Sequence, residues 1–287
     1  MNKRKFIALI VVAVVGIIGH FLQNDETERV NQHLSEDKMR VHFIDVGQGD
    51  CSLIELPGGK IMLVDAGEAE EGWKIEEYLK SFGINKIDFL VGTHPHSDHI
   101  GGLESVINSF EIANIYMAKK SHNSLAFENL IKCIKANGLT VKSPMAGEII
   151  YENDGVKVKV LSPMESYYDE INNYSSVLEI IYGNKSFLLT GDAENQILNK
   201  IAVSGKVDVL KVSHHGSSTA NGKRFYNRIM PDYAVISVGY PNRYGHPHRE
   251  TLSRLKEYNV KFFRTDKDGT VVFETDGKEI NVIGSGE

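Results

Sequence analysis

A layered α/β fold, with two packed sheets and helices on their outer faces, is what this sequence predicts. Three observations carry it. Apolar runs of strand length alternate with segments of helical spacing along most of the chain. The strand-rich stretches fall into two halves. Three polar clusters, THPHSDH, TGDAE and SHHGSS, each follow an apolar strand-like run. In layered α/β folds functional groups gather where strands run into loops, so these clusters can converge on one edge.

In chain order, VHFIDV and CSLIEL read as strands joined by the hairpin signal GQGD, and GGKIMLVDAG adds a third strand ending at Asp65. WKIEEYLKSFG has helical spacing and a glycine stop, and KIDFLVGT is a buried-strand run. GGLESVINSF predicts a helix, NIYMA a strand and SLAFENLIKCIKANG a second amphipathic helix. GEIIYE, VKVKVLSP, SVLEIIYG and KSFLLTGD follow as strands. The second half continues with helix AENQILNKIAV, strand VDVLKVSH, a helix near KRFYNRIM and strand YAVISVG. It closes with helix RETLSRLKEY and strands VKFFRT, GTVVFET and KEINVI.

With 287 residues, 41% hydrophobic and 24% charged, the chain can bury a large core. No long-period repeat or low-complexity tract is present, which excludes a solenoid. Cys51 lies in a strand pattern and Cys133 in a helix pattern, so both read as small core residues rather than a disulfide. The first residues differ: MNKRK precedes an apolar run over residues 6–22, the short end of a membrane span. Without an Ala-x-Ala-like cleavage site this predicts a retained signal anchor, with a cleaved, secreted form as the alternative. Lys3, Arg4 and Lys5 would stay cytoplasmic and the remainder would lie outside the cell membrane. Residues 1–38 then form anchor and polar tether, and 39–287 a single domain. Between Asn199 and Arg264, 12 Lys/Arg stand against 4 Asp/Glu within a chain of net charge -6. Either charges group by chance on solvated faces there, or a basic surface faces an anionic substrate.

The chemistry lies in the polar clusters. Three of the 11 histidines, with an aspartate, occupy the seven residues of THPHSDH. Imidazole with carboxylate suits Zn, Mn or Fe, whereas calcium wants nearly all oxygen. His94 and His96, two residues apart, can grip one ion, while Asp98 and His99 point elsewhere and take a second. Asp192 of LLTGD can bridge the ions, and a histidine of SHH, His214 or His215, can finish the second site. Two metals roughly 3.5–4 Å apart share a hydroxide and clamp both oxygens of an in-line phosphoryl displacement.

HPHSDHIGGL, with LVDAG upstream and FLLTGD downstream, resembles the metallo-β-lactamase superfamily. FIDVGQGD, NNYSSVL, LLTGDAE, KVSHHGSS, YGHPH and RTDKDGTVVF are similar to the hydrolase domain of ComEC-type DNA-uptake proteins and its stand-alone relatives, over residues 39–283. The resemblance implies a four-layer αββα sandwich with a binuclear site at its edge, holding two divalent ions, Zn or Mn. Residue by residue, it makes His94 and His96 first-metal ligands, Asp98 and His99 second-metal ligands, Asp192 the bridge and Asp65 the brace of the ligand loop. His215 matches the last histidine ligand; strand alternation would point His214 to the opposite side. Where most binuclear members have a third histidine, this chain has Asn173, a weaker ligand that would leave the first site labile. Asp98, His214 and His246 are the candidates for the chemical step. Gln48, Asp50, Ser175, Ser217, Arg243 and His248 are the candidates for substrate contact. The function implied is an extracytoplasmic metal-dependent phosphodiesterase acting on an anionic phosphodiester, DNA foremost. A cell-wall phosphodiester esterase and a non-catalytic, membrane-anchored DNA-binding protein are the alternatives, and nothing here sets the oligomeric state.

Overall fold

The structure, a computed structural model, describes residues 37–284. The apolar run 6–22 lies outside them, and among the described residues no helix is long and apolar enough to cross a membrane.

Two large sheets dominate. The first contains β1 (Met39–Phe43), β2 (Ser52–Glu55), β3 (Ile61–Val64), β5 (Phe89–Gly92), β7 (Ile115–Met117), β8 (Val141–Lys142), β16 (Val271–Thr275) and β17 (Ile280–Gly284), in the order β17-β16-β1-β2-β3-β5-β7-β8. A small parallel pair, β4 (Lys86–Ile87) and β6 (Glu111–Ile112), lies beside it in sequence. The second sheet contains β9 (Ile149–Asn153), β10 (Val156–Ser162), β11 (Val177–Tyr182), β12 (Lys185–Leu189), β13 (Val209–Lys211), β14 (Tyr233–Ile236) and β15 (Lys261–Arg264), in the order β15-β14-β13-β12-β11-β10-β9.

Side-chain alternation along the strands builds the layers. Val41 and Phe43 of β1, Val91 of β5, Val158 of β10, Phe187 of β12 and Val235 of β14 share one core between the sheets. Their neighbours point outward. Leu53, Leu63 and Leu90 pack under helices Gly72–Ser81, Leu103–Ser109 and Leu125–Ala136. Leu188, Leu210 and Ala234 pack under Lys223–Ile229 and Arg249–Glu257. A period of two on strands buried on both faces therefore yields three apolar layers between four structural ones. This is the αββα order that the resemblance implied.

Several predicted elements come out shorter or divided; VDVLKVSH forms a strand only over Val209–Lys211, and KIDFLVGT is split into β4 and β5. AENQILNKIAV forms only the turn Asn195–Leu198, after which Ile201 and Val207 enter the core from irregular chain. The strand predicted over VHFIDV stops at Phe43, because Ile44 and Val46 bury against the helix layer and carry the chain toward the site. The placement that matters is at the strand ends. Strands β3 and β5 run parallel, as do β12, β13 and β14. The residues after their carboxyl ends are Asp65, His94, Asp192, His214 and the loop from Gly239 onward. All the polar clusters thus reach one edge of the sandwich.

Candidate metal centre

The ligand loop is held from behind before any ion is considered. Asp65, at φ 59°, leaves β3 in the left-handed region and turns its carboxylate under the loop. Its Oδ1 accepts the Thr93 N–H and its Oδ2 the Thr93 hydroxyl, both at 2.7 Å. The same Oδ2 lies 2.8 Å from His99 Nδ1. That bond places the proton of His99 on Nδ1 and leaves Nε2 facing inward as a ligand atom. Gly49 fits against the loop so closely that a Cβ there would lie 2.3 Å from the Asp98 carbonyl oxygen. The Asp50 N–H donates to that same oxygen.

Two groups of ligand atoms follow. His94, His96 and Asp192 form one; Asp98, His99 and His215 form the other. Asp192 faces both. Its Oδ2 lies 3.8 Å from His94 Nε2, and its Oδ1 lies 3.2 Å from His99 Nε2 and 3.6 Å from His215 Nε2. His215 Nε2 is also 3.2 Å from Asp98 Oδ2. Three of these buried atoms, His99 Nε2, Asp192 Oδ1 and His215 Nε2, have no hydrogen-bond partner. Orphaned polar atoms are costly in an interior, and three that face one another fit a common cation.

The electrostatics agree. Burial alone would depress His215, but Asp192 and Asp50 push it up to about 10. Burial opposes His99 in the same way, and Asp192, Asp65 and Asp98 raise it well above the ordinary imidazole range. Burial would raise Asp192, yet His99 and His215 hold it well below the usual carboxylate range. His94 and His96 behave oppositely: burial lowers both. The second group is a cation trap, and protons are what it takes when no metal is offered.

The structure puts His214 and His215 on the same side. Both adopt left-handed backbone, φ 51° and 50°, in a tight turn after β13, so strand alternation no longer applies. His214 Nε2 reaches 3.6 Å from Asp192 Oδ2 while His215 reaches Oδ1. Asn172 Nδ2, a donor, lies 3.4 Å from His214 Nδ1 and 3.5 Å from its Nε2, and Thr219 Oγ1 lies 3.3 Å from Nδ1, so the ring is held in place from its edge.

A cavity of about 240 Å³ opens over the two groups, walled by His122, His214, His246, Arg243 and Tyr244. Burial, then the neighbouring His215 and His214, press His246 down to about 4. Of the residues expected to touch substrate, Arg243 alone lines this cavity. Gln48 Oε1 accepts the Gly239 N–H; Ser175 Oγ accepts the Asp192 N–H; Ser217 is tied to Thr219. His248 Nδ1 accepts the Ser218 N–H. Asp50 is buried behind His215, its Oδ2 2.8 Å from Lys211 Nζ and its Oδ1 3.3 Å from His215 Nδ1. These short polar chains sit beside backbone or charged groups that need partners, and that need claims them. Asn173 is likewise engaged, its Oδ1 accepting the Glu194 N–H at 3.1 Å.

Sequence reading missed Lys211 and His122. Lys211, 2% exposed, sits in an apolar strand and neutralises Asp50. Removing either partner of such a pair leaves a stranded buried charge, at about 3–5 kcal/mol. A lysine facing inward among LKV offers no signal beyond its place in a buried run. His122 stands in a polar loop, lines the cavity and contacts His96 ring to ring, 5.6 Å between centroids. Several basic side chains after Asn199 are engaged within the fold. Lys206, Lys223 and Arg264 pair with carboxylates, and Arg228 and Arg254 bond backbone carbonyls.

The comparisons with known proteins agree with this geometry. The family model described as the metallo-beta-lactamase superfamily matches residues 44–240. ComE operon protein 3 of Bacillus subtilis is 30% identical over 254 residues, covering 81% of this chain and 32% of that protein. Competence protein ComA of Neisseria gonorrhoeae is 30% identical over 245 residues, covering 83% and 32%. The chain thus spans about a third of the length of these relatives. Among solved structures, the metallo-beta-lactamase fold protein YhfI of Bacillus subtilis superposes with TM-score 0.54 at 14% identity, covering 81% of this chain and 98% of that one. Zn(2+)-bound PqqB of Methylobacterium extorquens gives 0.51 at 11% identity, covering 78% and 87%. With strand-end ligands, buried brace and family model in accord, this chain belongs to the metallo-β-lactamase superfamily and carries the fold and His/Asp clusters of its metal-dependent hydrolases.

Proposed function

We propose that the protein is a binuclear metal-dependent phosphodiesterase whose substrate is a nucleic acid strand. The observation that carries this reading is the division of labour on Asp192, with one oxygen toward each ligand group. A binding module has no use for that carboxylate. Divalent cations, Zn or Mn, would be held by His94 and His96 on one side and by Asp98, His99 and His215 on the other; when bound they supply an activated water and polarise phosphoryl oxygens.

The chain's own residues do the rest. Asp192 sets the separation of the two ligand groups. Asp65 and Thr93 fix the tautomer and tilt of His99. His214, partly exposed beside Asp192 on the cavity wall, is placed to hydrogen-bond a phosphoryl or leaving-group oxygen there. His246, neutral at pH 7 because burial and its imidazole neighbours depress it, offers a hydrogen bond without adding charge. Arg243 at the rim draws in the phosphate. Resemblance to the ComEC type favours nucleic acid over a wall polymer.

The test is a panel on the full-length protein: a single-stranded oligonucleotide, a glycerol-phosphate polymer and a phosphomonoester, each with Mn, Zn or chelator. Metal-restored cleavage of the oligonucleotide, absent with chelator, is expected. Full metal loading with no turnover of any diester would overturn the reading.

A further inference from the structure

The loop after β14, residues 239–248, holds features that the hydrolytic reading leaves unused. A single carboxamide locks it. Asn242 Nδ2 donates to the carbonyls of Gly239 and His246, both at 2.8 Å, and Asn242 Oδ1 accepts the N–H groups of Tyr244 and His246. Gln48 pins the loop's start through Gly239. On this rigid frame Tyr240 is 84% exposed and Tyr244 46%. Large apolar rings held in water on a preorganised loop are a cost that burial elsewhere in the fold does not recover.

The rings form a column leading out of the metal centre. His246 is stacked on His215 at 6.2 Å and 30°, and Tyr244 is stacked on His246 at 5.6 Å and 20°. The Arg243 guanidinium lies 4.9 Å from the Tyr244 ring centre and donates to its hydroxyl. Planar faces therefore continue from a ligand histidine to the surface, ending in a cation and an exposed tyrosine. Flat rings and a guanidinium beside the cavity over the metal centre suit a nucleobase; a polyol phosphate has no plane to lay on them.

Resting on the phosphodiesterase reading, we propose that Arg243, Tyr244 and Tyr240 form a base-stacking platform that selects a strand with an unpaired base beside the scissile phosphate. Stacking on a ring is sequence-tolerant, so any base serves, but the base must be free of a partner strand.

Fluorescence anisotropy on the full-length protein, with chelator present so that nothing is cut, compares short oligothymidylate with a strand of the same length built from abasic tetrahydrofuran units. Wild type should prefer oligothymidylate. Tyr240→Ala and Tyr244→Leu should each reduce that preference about tenfold. Tyr240→Phe, which keeps the ring, should retain it. Equal binding of the two strands by wild type, or a preference untouched in both truncations, overturns the platform. Cleavage of the abasic strand by the Mn- or Zn-loaded protein is scored separately. A preserved base preference without cleavage of either strand sinks the phosphodiesterase and leaves the platform standing.

Discussion

Both ligand groups draw on one seven-residue loop, yet they are held very differently. Behind the second group stand Asp65, Thr93, Asp50, Lys211 and the Ser237 carbonyl, which accepts from His215 Nδ1 at 3.0 Å. Each imidazole there has its outer nitrogen spoken for. The first group has only the Thr93 hydroxyl, 3.2 Å from His94 Nδ1, and the contact between His94 Nε2 and His96 Nδ1 at 3.0 Å. His96 is partly exposed and Asn173 is turned to Glu194. Identical ligand types thus make one half backed by a charged, hydrogen-bonded frame and another with little behind it. Bracing, more than ligand chemistry, separates them.

Breaking the link between the halves should have the largest effect. Asp192→Asn is expected to lower turnover on the order of 10³-fold and reduce bound metal below two equivalents, with circular dichroism unchanged. Wild-type rates in the variant would remove Asp192 from the bridge.

The next effect is that of pH. His99 and His215 carry protons until high pH, His215 to about 10, and must lose them to ligate. Metal affinity of the second group should therefore fall as pH falls, about a hundredfold per unit if both protons compete. His94 and His96, pushed down by burial, are already neutral near pH 7, so the first group should show little dependence there. Chelator competition at several pH values reads this directly. Parallel slopes for the two equivalents would erase the distinction.

Asp65→Asn removes the charge behind His99. A loss of about 10–100-fold in affinity is expected for the tighter equivalent, and little change for the other. Uniform weakening of both would mean that Asp65 shapes the loop as a whole. The smallest change is expected from Asn173→His. An imidazole at that position should retain zinc severalfold better in the first group while barely affecting manganese. Identical zinc release by variant and wild type would make Asn173 purely a partner of the Glu194 N–H.

The sequence made the candidate ligands legible because the clusters that carry them, THPHSDH, TGDAE and SHHGSS, each follow a buried apolar run. His94, Asp98 and Asp192 are legible that way, as is the layering, which follows from strand alternation; Asp65 as a brace is legible only through the family resemblance. What stayed hidden depends on distant pairings. Lys211 matters only because β13 lies opposite the β1–β2 connection that carries Asp50. The paired orientation of His214 and His215 depends on two left-handed residues in succession, which no strand rule anticipates. Gln48, Ser175, Ser217 and His248 looked like substrate contacts because polar residues near a site do. Which of them remain free is decided by backbone groups elsewhere in the fold.

That left-handed pair has a bearing on how the protein would drift under selection. Left-handed backbone costs a non-glycine residue roughly 1–2 kcal/mol, so glycine at either position would relieve strain. A library screened for heat tolerance alone should therefore enrich glycine at 214, where the ring is partly exposed, rather than at buried 215, and one screened for hydrolysis should keep both imidazoles. The gap between the two outcomes would measure, without a purified substrate, how much stability this lineage has given up to aim two rings at one carboxylate.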